Sequence, residues 1–347
     1  MSGLRAHLRE GQVIPAHPLA LTPRRTLDER HQRALTRYYV DAGAGGIAVG
    51  VHTTQFAIRR HGMFRPVLEL AAETARAALP PSRRAFALVA GVCGPVRQAV
   101  AEASIARALG YDLALVSLAG LDSGNHRALV HHCRAVSEVM PLFGFYLQPA
   151  VGGPVLSHAF WRELCELPGL WAVKVAPFNR YATHDVVRAV VESGRDDVAL
   201  YTGNDDNIVA DLVTPFRIAV GGTMRERWMD GGLLGQWAVW TQHAVALLRD
   251  AKRARARRVV PASLLAMGSA LTIANAAIFD AAHGFAGSIP GIHEVLRAQG
   301  LVRGVWCLDP RETLSPGQRH AIARVRRAYP TLGDDAFVRD NLERWLS

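Results

Sequence analysis

The sequence predicts an α/β fold, a (β/α)₈ barrel with a C-terminal helical extension. Short apolar runs alternate with helical patterns over much of the 347-residue chain, and the strand signal fades after about Arg249. The runs are continuously apolar, as expected for parallel strands that helices cover from outside. Eight such runs over roughly 220 residues suit a barrel. We expect residues 1–250 to form the barrel and residues 251–347 the extension.

The barrel strands are predicted at Val13–Leu21, Gly46–Val51, Phe86–Val92, Leu113–Ser117, Leu142–Leu147, Leu170–Val175, Val198–Thr202 and Arg217–Val220. Helices between them include Pro95–Leu109, Arg127–Val139, Ser157–Glu166 and Thr183–Glu192. An earlier helix begins after Asp28, a favourable N-cap residue, and ends at Gly43. The extension is predicted to contain the helices Ala262–Ala282, Ile292–Gln299, Pro316–Ala328 and Asp334–Trp345.

A doubly wound open sheet is the competing architecture. The stretch "GAGGIAVG" (43–50) is superficially similar to a dinucleotide-binding fingerprint. Its glycines precede a strand, whereas a phosphate-binding loop follows a strand and opens a helix. The barrel therefore fits the sequence better.

The net charge of +10 at pH 7 raises the question of a nucleic-acid partner. Much of this charge lies in "RDAKRARARR" (249–258), which follows an apolar helical pattern. No aromatic residue interleaves with the stretch to stack on bases, and no nucleic-acid motif accompanies it. We interpret it as a solvated helix end and expect no nucleic-acid partner.

Three features bear on location. The N-terminal stretch has no apolar signal-peptide core. The charge-free stretch 259–279 is rich in Ala, Ser, Thr, Gly and Asn, which favours a packed internal helix over a membrane span. The cysteines form no CxxC pair, as is usual for reduced thiols: Cys93, Cys133, Cys165 and Cys307. We expect a cytoplasmic protein with no membrane partner.

Lys174 interrupts an apolar strand, "LWAVKVAP" (170–177), and is one of two lysines among 40 lysine and arginine residues. Burial disfavours an ammonium and lowers a lysine pKa by up to roughly 3–5 units. The free amine that results attacks a carbonyl and forms a Schiff base. The alternative is a lysine at a strand edge with a buried stem and its head in water.

Side chains at the carboxyl ends of barrel strands converge on the active site. Thr53 and Thr54 follow the second strand and offer hydroxyl and backbone N–H groups to a carboxylate. Tyr146 ends the fifth strand as a candidate proton shuttle. Gly203 ends the seventh strand, where a ligand can approach the backbone closely. An ordinary structural role is the alternative for each.

The acidic turn after Gly203 raises the question of a metal ion. Asn204, Asp205 and Asp206 are interpreted as polar loop residues, which is the commoner role of such a run. The histidines show no HExxH-like spacing. No metal site is predicted.

These strand ends resemble those of the dihydrodipicolinate synthase and N-acetylneuraminate lyase superfamily, the pyruvate-type class I aldolases. The likeness covers roughly residues 12–225 and four motifs in the family's order. The family's Gly-Thr-Thr-Gly-Glu motif is similar to His52-Thr53-Thr54-Gln55-Phe56, and its Tyr-Asn-x-Pro motif is similar to Tyr146-Leu147-Gln148-Pro149. Its Gly-x-Lys motif is similar to Ala172-Val173-Lys174, and its Ser-Gly-Asp-Asp motif is similar to Thr202-Gly203-Asn204-Asp205.

The resemblance implies a TIM barrel that assembles as a homodimer or homotetramer and needs no cofactor. It assigns catalysis to Lys174, which forms the iminium, to Tyr146, which relays protons, and to Thr54. Substrate binding is assigned to Thr53, Thr54, Gly203 and Ile218, with Ile218 placed beside the site by the eighth predicted strand.

Departures from the family bear on the substrate. His52, Gln55 and Phe56 replace family residues around the threonine pair. The arginine that often follows the tyrosine motif falls at Val151, and "SLAGLDSGNH" (117–126) lacks the second tyrosine of the synthases. Arg225 or Arg227 is the alternative source of a carboxylate-binding charge. We expect a partner aldehyde with a hydrophobic or uncharged body, rather than the aspartate semialdehyde of a true dihydrodipicolinate synthase.

Two hypotheses follow. The first is a Schiff-base lyase or aldolase, or a hydratase-aldolase, that acts on pyruvate or a related 2-oxo acid. The second is a non-catalytic barrel that binds a 2-oxo acid in a regulatory or assembly role, which the altered threonine motif and the missing tyrosine favour.

Overall fold

A ring of eight parallel strands forms the centre of the computed structural model, which describes residues 3–82, 85–121 and 124–347. The described residues form the strands β1 (Val13–Pro15), β2 (Gly46–Val49), β3 (Ala87–Val92), β4 (Leu113–Val116), β5 (Leu142–Leu147), β6 (Leu170–Ala176), β7 (Ala199–Thr202), β8 (Phe216–Val220), β9 (Thr223–Arg227) and β10 (Gly231–Leu234). Strands β1 to β7 and β10 pair in parallel, and a bridge between Ala16 and Ala48 joins the two edges. The predicted (β/α)₈ barrel is confirmed.

Helices surround this ring. The described residues form α1 (Gly3–Glu10), α2 (Glu29–Asp41), α3 (Phe64–Ala78), α4 (Val96–Ala108), α5 (His126–Ser137), α6 (His158–Cys165), α7 (Arg180–Glu192), α8 (Ile208–Val213), α9 (Thr241–Arg257), α10 (Ala262–Ile278), α11 (Ser288–Ala298), α12 (Gln318–Ala328) and α13 (Asp335–Leu346). Asp28 caps α2 by accepting the N–H of His31, as predicted. Residue 250 lies within α9, so the predicted domain boundary falls inside a helix.

The eighth predicted strand, Arg217–Val220, is not part of the barrel. It belongs to β8, which pairs antiparallel with β9 in a separate hairpin. The two strands are joined by Gly221 and Gly222, whose φ angles of +56° and +78° suit a tight hairpin turn. Buried and exposed side chains alternate along β8: Phe216 and Ile218 are buried, and Arg217 between them is exposed. That alternation is typical of a half-exposed antiparallel strand.

The last barrel strand is instead β10, a short glycine-rich segment that pairs with β1 and β7. Two glycines in four residues give little strand signal, because glycine is depleted in strands. The eighth barrel strand therefore ends at Leu234, and not at Val220 as predicted. Ile218 lies outside the barrel.

Two apolar layers pack on either side of the strands. Successive side chains of a strand point to opposite faces, so Phe143, Phe145 and Leu147 of β5 belong to the cluster inside the barrel. Tyr146 belongs to the cluster between the strands and the helices. Lys174 pairs with Phe145 in the parallel register of β5 and β6 and therefore points inward.

The charge-free stretch 259–279 forms α10, and the helix is only partly internal. Leu264 and Leu271 are buried, whereas Leu265 and Ile273 are 49% and 48% exposed. No helix in the described part of the chain is both long and apolar enough to cross a membrane. In the basic stretch at the end of α9, Arg253 and Arg257 are exposed, as predicted for a solvated helix end, whereas Lys252 and Arg255 are half-buried.

Candidate active site

A cavity lies at the carboxyl end of the barrel strands, where the C-terminal helices cover the barrel. Its inner part, of about 70 Å³, adjoins an outer pocket of about 420 Å³. The polar residues that line the inner part, among those the structure describes, are His52, Thr53, Gln148, Lys174, Asp205 and Ser288. Most of the remaining wall is apolar or aromatic. The chain thus places a few polar groups inside a small apolar space.

Lys174 reaches into this cavity from β6 and is 9% exposed. Its Nζ lies 4.6 Å from the centroid of the Phe145 ring, and no hydrogen bond or ion pair joins it to any described residue. Burial lowers the pKa of the amine to about 8, and the charge of Asp205 opposes that change. A lysine of this kind carries free amine near neutral pH, as a Schiff-base nucleophile must.

Gly203, at the end of β7, makes room for the lysine stem. A Cβ atom at this position would lie 2.7 Å from Cε of Lys174 and 2.7 Å from Cβ of Ala176. The predicted glycine therefore lines the cavity, and its immediate neighbour is the lysine side chain.

The threonine pair lies in a 3₁₀ turn, His52–Thr54, that follows β2. Thr53 lines the cavity, and its hydroxyl donates to the carbonyl of Ala16 at 2.8 Å. Thr54 is fully buried outside the cavity lining. Its hydroxyl donates to the carbonyl of His17 at 2.6 Å and accepts the N–H of Gly50 at 3.0 Å. Thr53 can therefore face a ligand, whereas Thr54 anchors the turn.

A buried ion pair fixes the start of this turn. Arg59 and Glu102 form two hydrogen bonds of 2.9 Å, and both side chains are almost fully buried. The guanidinium of Arg59 also donates to the carbonyls of Gly50 and Gly91 at 3.1 and 2.9 Å. The ends of β2 and β3 are therefore held together beside the threonine turn.

Tyr146 does not lie in the cavity, which corrects its predicted role. Its ring packs against Trp161 of α6, with the ring centroids 5.6 Å apart, and its hydroxyl accepts the N–H of Leu156 at 3.1 Å. The strand alternation that turns Tyr146 outward turns Phe145 and Leu147 into the cavity. On β5, apolar side chains occupy the positions where a hydroxyl was expected.

Ile218 is likewise outside the cavity. It pairs with Arg225 in the β8–β9 hairpin and packs in the layer outside the barrel. The residue that lines the cavity after the true eighth strand is Gly235. Of the predicted site residues, the structure brings together Lys174, Thr53 and Gly203.

The three polar residues of the turn after Gly203 have different surroundings. Asn204 is fully buried and donates to Asp211 at 2.9 Å, Asp205 lines the cavity, and Asp206 is exposed. In the described part of the chain, no three His, Cys, Asp or Glu side chains come together as metal ligands would.

Asp205 and His52 are titratable groups that face the same space as Lys174. Burial raises the pKa of Asp205 to about 7, although the charge of Lys174 opposes that change. Burial and the charge of Lys174 lower the pKa of His52 to about 4, so its imidazole is neutral at pH 7. The cavity thus holds an amine and a carboxyl whose pKa values both lie near neutrality.

The mouth of the cavity is aromatic, and the C-terminal extension supplies two of its three phenylalanines. Phe178 and Phe285 meet edge to face with their ring centroids 5.8 Å apart, and Phe279 lines the wall beside them. Phe178 and Phe285 have φ angles of +52° and +68°. Such backbone is uncommon for bulky residues and clusters at functional sites. Sequence reasoning missed these residues, because nothing local links positions 178, 279 and 285.

A barrel with a helical cover over its carboxyl end is also the fold of several solved lyases and synthases. Dihydrodipicolinate synthase from Aquifex aeolicus has 18% sequence identity and a TM-score of 0.74, over 93% of this chain and 99% of that one. N-acetylneuraminate lyase from Fusobacterium nucleatum has 17% identity and a TM-score of 0.71, over 92% and 99%.

A third structure was solved with pyruvate bound. It is YagE, a prophage protein of the dihydrodipicolinic acid synthase family from E. coli K12, with 16% identity and a TM-score of 0.72, over 93% of this chain and 98% of that one. No protein-family profile and no curated protein matches the sequence. The similarity to the solved structures is therefore one of fold.

Proposed function

We propose that this protein is a Schiff-base-forming lyase or aldolase that acts on pyruvate or a related 2-oxo acid. The observation that carries the proposal is Lys174, a buried amine with a pKa of about 8 at the carboxyl end of a barrel. The pyruvate bound to the prophage protein of the same fold supports the choice of substrate.

In the proposed reaction, the Lys174 amine attacks C2 of the 2-oxo acid, and loss of water leaves an iminium. The iminium withdraws electrons from C3, so that the bond between C3 and C4 forms or breaks. Thr53 and the backbone of its 3₁₀ turn hold the carboxylate, with the hydroxyl turning from the Ala16 carbonyl toward the ligand. Gly203 leaves space for the lysine stem throughout.

The proposed second substrate is an aldehyde with a hydrophobic or uncharged body. Val151 lines the cavity where the synthases would have an arginine, and Lys174 is the only lysine or arginine of the described lining. Arg225 lies in the outer hairpin, and Arg227 donates to the carbonyl of Val198 and pairs with Asp230. Neither arginine lines the cavity, and Phe178, Phe279 and Phe285 favour an apolar partner. We therefore propose that the protein is not a true dihydrodipicolinate synthase.

The alternative, a barrel that binds a 2-oxo acid without turnover, rests on one observation. The cavity lining contains no tyrosine among the described residues, and Tyr146 is bonded elsewhere. The proposal also includes a cytoplasmic location, which the free cysteines support, and assembly as a homodimer or homotetramer, which the family resemblance implies.

The test is reduction with borohydride in the presence of pyruvate and of several other 2-oxo acids, followed by intact mass. We expect an irreversible adduct on the wild type and none on Lys174→Arg, because a guanidinium is not deprotonated in proteins. No adduct with any 2-oxo acid would contradict the proposal. An adduct without turnover of any aldehyde, across aspartate semialdehyde and a panel of neutral and aromatic aldehydes, would favour the binding protein.

A further inference from the structure

An aldol reaction needs a group that moves protons as well as an electron sink. The iminium acidifies C3, but a base must still take the proton, and the new C4 oxygen must receive one. Tyr146 is excluded by its outward position. The Thr53 hydroxyl belongs to the proposed carboxylate site. In the described lining of the inner part, which holds Lys174, this leaves His52 and Asp205 as the other titratable groups, and Asp206 lines only the outer pocket.

We propose that Asp205 is the proton-transfer residue of this site, the carboxylate that takes the C3 proton of the Lys174-bound 2-oxo acid and returns it to the aldol oxygen. This inference rests on the proposed Schiff-base function and adds a catalytic residue to it.

The position of Asp205 is fixed from two sides. Its Oδ1 accepts the backbone N–H of Gln236 at 3.1 Å, in the 3₁₀ turn that follows β10. The backbone carbonyl of Asp205 accepts a hydrogen bond from the side-chain amide of Asn275 in α10 at 2.7 Å. A carboxylate held in this way is preorganised, as a catalytic group needs to be.

Asp205 and Lys174 line the same cavity, and neither an ion pair nor a hydrogen bond joins them in the described part of the chain. Each changes the pKa of the other. Gly203 precedes Asp205 by two positions, and the stem of Lys174, from the neighbouring strand β6, packs against this glycine. The arrangement leaves the carboxylate free to face atoms that are bound to the amine.

The charges around Asp205 favour a carboxyl that titrates near neutrality. Lys174 faces it from β6 and lowers its pKa, Asp206 on the same turn raises it, and burial raises it most, giving about 7. His52 faces the cavity from the turn after β2, but its pKa of about 4 makes it the weaker base. A catalytic acid or base works best with a pKa near the working pH.

The proposed reaction proceeds through an enamine. The Asp205 carboxylate removes a proton from C3 of the iminium, and the electron pair of that C–H bond forms the enamine. The enamine C3 then attacks the aldehyde carbon, and the aldehyde oxygen takes the proton from the Asp205 carboxyl. Water hydrolyses the iminium, releases the product and restores the Lys174 amine. Cleavage follows the same steps in reverse.

The test compares Asp205→Asn and Asp205→Glu with Asp340→Asn, a matched change at an exposed carboxyl of α13 that lines neither part of the cavity. Two rates are measured for each folded variant: borohydride trapping of pyruvate, and exchange of the pyruvate methyl protons in deuterium oxide. We expect Asp205→Asn to keep trapping and to lose exchange by roughly 10²–10⁴-fold. Asp205→Glu recovers part of the exchange, and Asp340→Asn matches the wild type. Divided by the trapping rate at the same pH, which removes the titration of Lys174, the wild-type exchange rate should rise with pH around 7, and Asp205→Asn should lack that rise.

The outcomes separate this inference from the proposed function. Absence of trapping in the wild type would refute the Schiff-base function itself. Normal trapping with unchanged exchange in Asp205→Asn would refute the role of Asp205 alone. Loss of trapping in both Asp205 variants would show that Asp205 positions Lys174 without transferring protons, and would also overturn the inference.

Discussion

The Nζ atom of Lys174 lies 4.6 Å from the centroid of the Phe145 ring, and the two residues are paired across β5 and β6. The face of an aromatic ring stabilises a cation by about 0.5–2 kcal/mol. Burial acts in the opposite direction and is the largest influence on the amine, whose pKa falls to about 8. The effect of burial on the pKa of Lys174 is therefore larger than the effect of the Phe145 ring, and the amine loses its proton close to neutral pH.

Adduct formation should therefore depend on pH. Below pH 8 most of the amine is protonated and cannot attack a carbonyl, whereas above pH 8 most of it is free. We expect the initial rate of pyruvate trapping to rise with pH and to level off above about pH 8. The measurement is a series of short borohydride quenches between pH 6 and about pH 10. A rate still rising steeply at pH 10 would show an unperturbed lysine.

Lys174→Met should stabilise the fold. The folded protein disfavours the ammonium, so the cost is fully present below pH 8 and disappears above the ordinary pKa of 10.5. At about 1.4 kcal/mol per pKa unit, we expect the free energy of unfolding at pH 7 to rise by about 1–3 kcal/mol. Urea unfolding at pH 7 and pH 10 measures the gain, which should shrink at the higher pH. Lys252→Met is the control. Burial lowers the pKa of Lys252 as well, but this amine donates to the carbonyl of Gly11 at 2.7 Å, so its removal should give a smaller gain than Lys174→Met.

Tyr146→Phe should affect stability and leave the chemistry unchanged. The buried N–H of Leu156 would lose its acceptor, which costs about 1–3 kcal/mol. We expect a lower midpoint of urea unfolding and an unchanged rate of pyruvate trapping and turnover. Tyr181→Phe is the control, because Tyr181 is 86% exposed. A turnover loss of 10²-fold or more would return Tyr146 to the catalytic role that the sequence predicted.

Gly203→Ala should displace Lys174 while the barrel stays folded. The new Cβ would lie 2.7 Å from Cε of Lys174 and 2.7 Å from Cβ of Ala176, so the lysine side chain must move and the ends of β6 and β7 must shift slightly apart. We expect trapping to slow by about 10²-fold, as small misplacements of a reacting group do. Gly144→Ala is the matched control, since its Cβ would meet its nearest neighbours at 3.4 Å. Equal trapping rates in the two variants would contradict the argument.

The sequence predicts the barrel and the position of Lys174 inside a buried strand because both leave local signals. Continuous apolar runs mark the buried parallel strands, and a single lysine inside one of them marks Lys174. Asp28 predicts the start of α2 because an N-cap acts on residues only three positions away.

No local signal in the sequence shows on which face of β5 the Tyr146 side chain lies. Strand β5 is apolar on both faces, so a period of two cannot be read from it, and a difference of one position decides which side chain enters the cavity. The Gly221-Gly222 turn was the available sign that Arg217–Val220 belongs to a hairpin. Phe279 and Phe285 come from the extension and join the site only through tertiary packing.

Peptide mapping of the pyruvate adduct after borohydride reduction identifies which lysine forms the Schiff base. The chain offers two lysines for comparison: Lys174 in the cavity, and Lys252 in α9, where its amine is bonded to a backbone carbonyl. We predict that the adduct lies on the peptide that contains Lys174 and that Lys252→Arg leaves its yield unchanged. An adduct on Lys252, or one that persists in Lys174→Arg, would contradict the account.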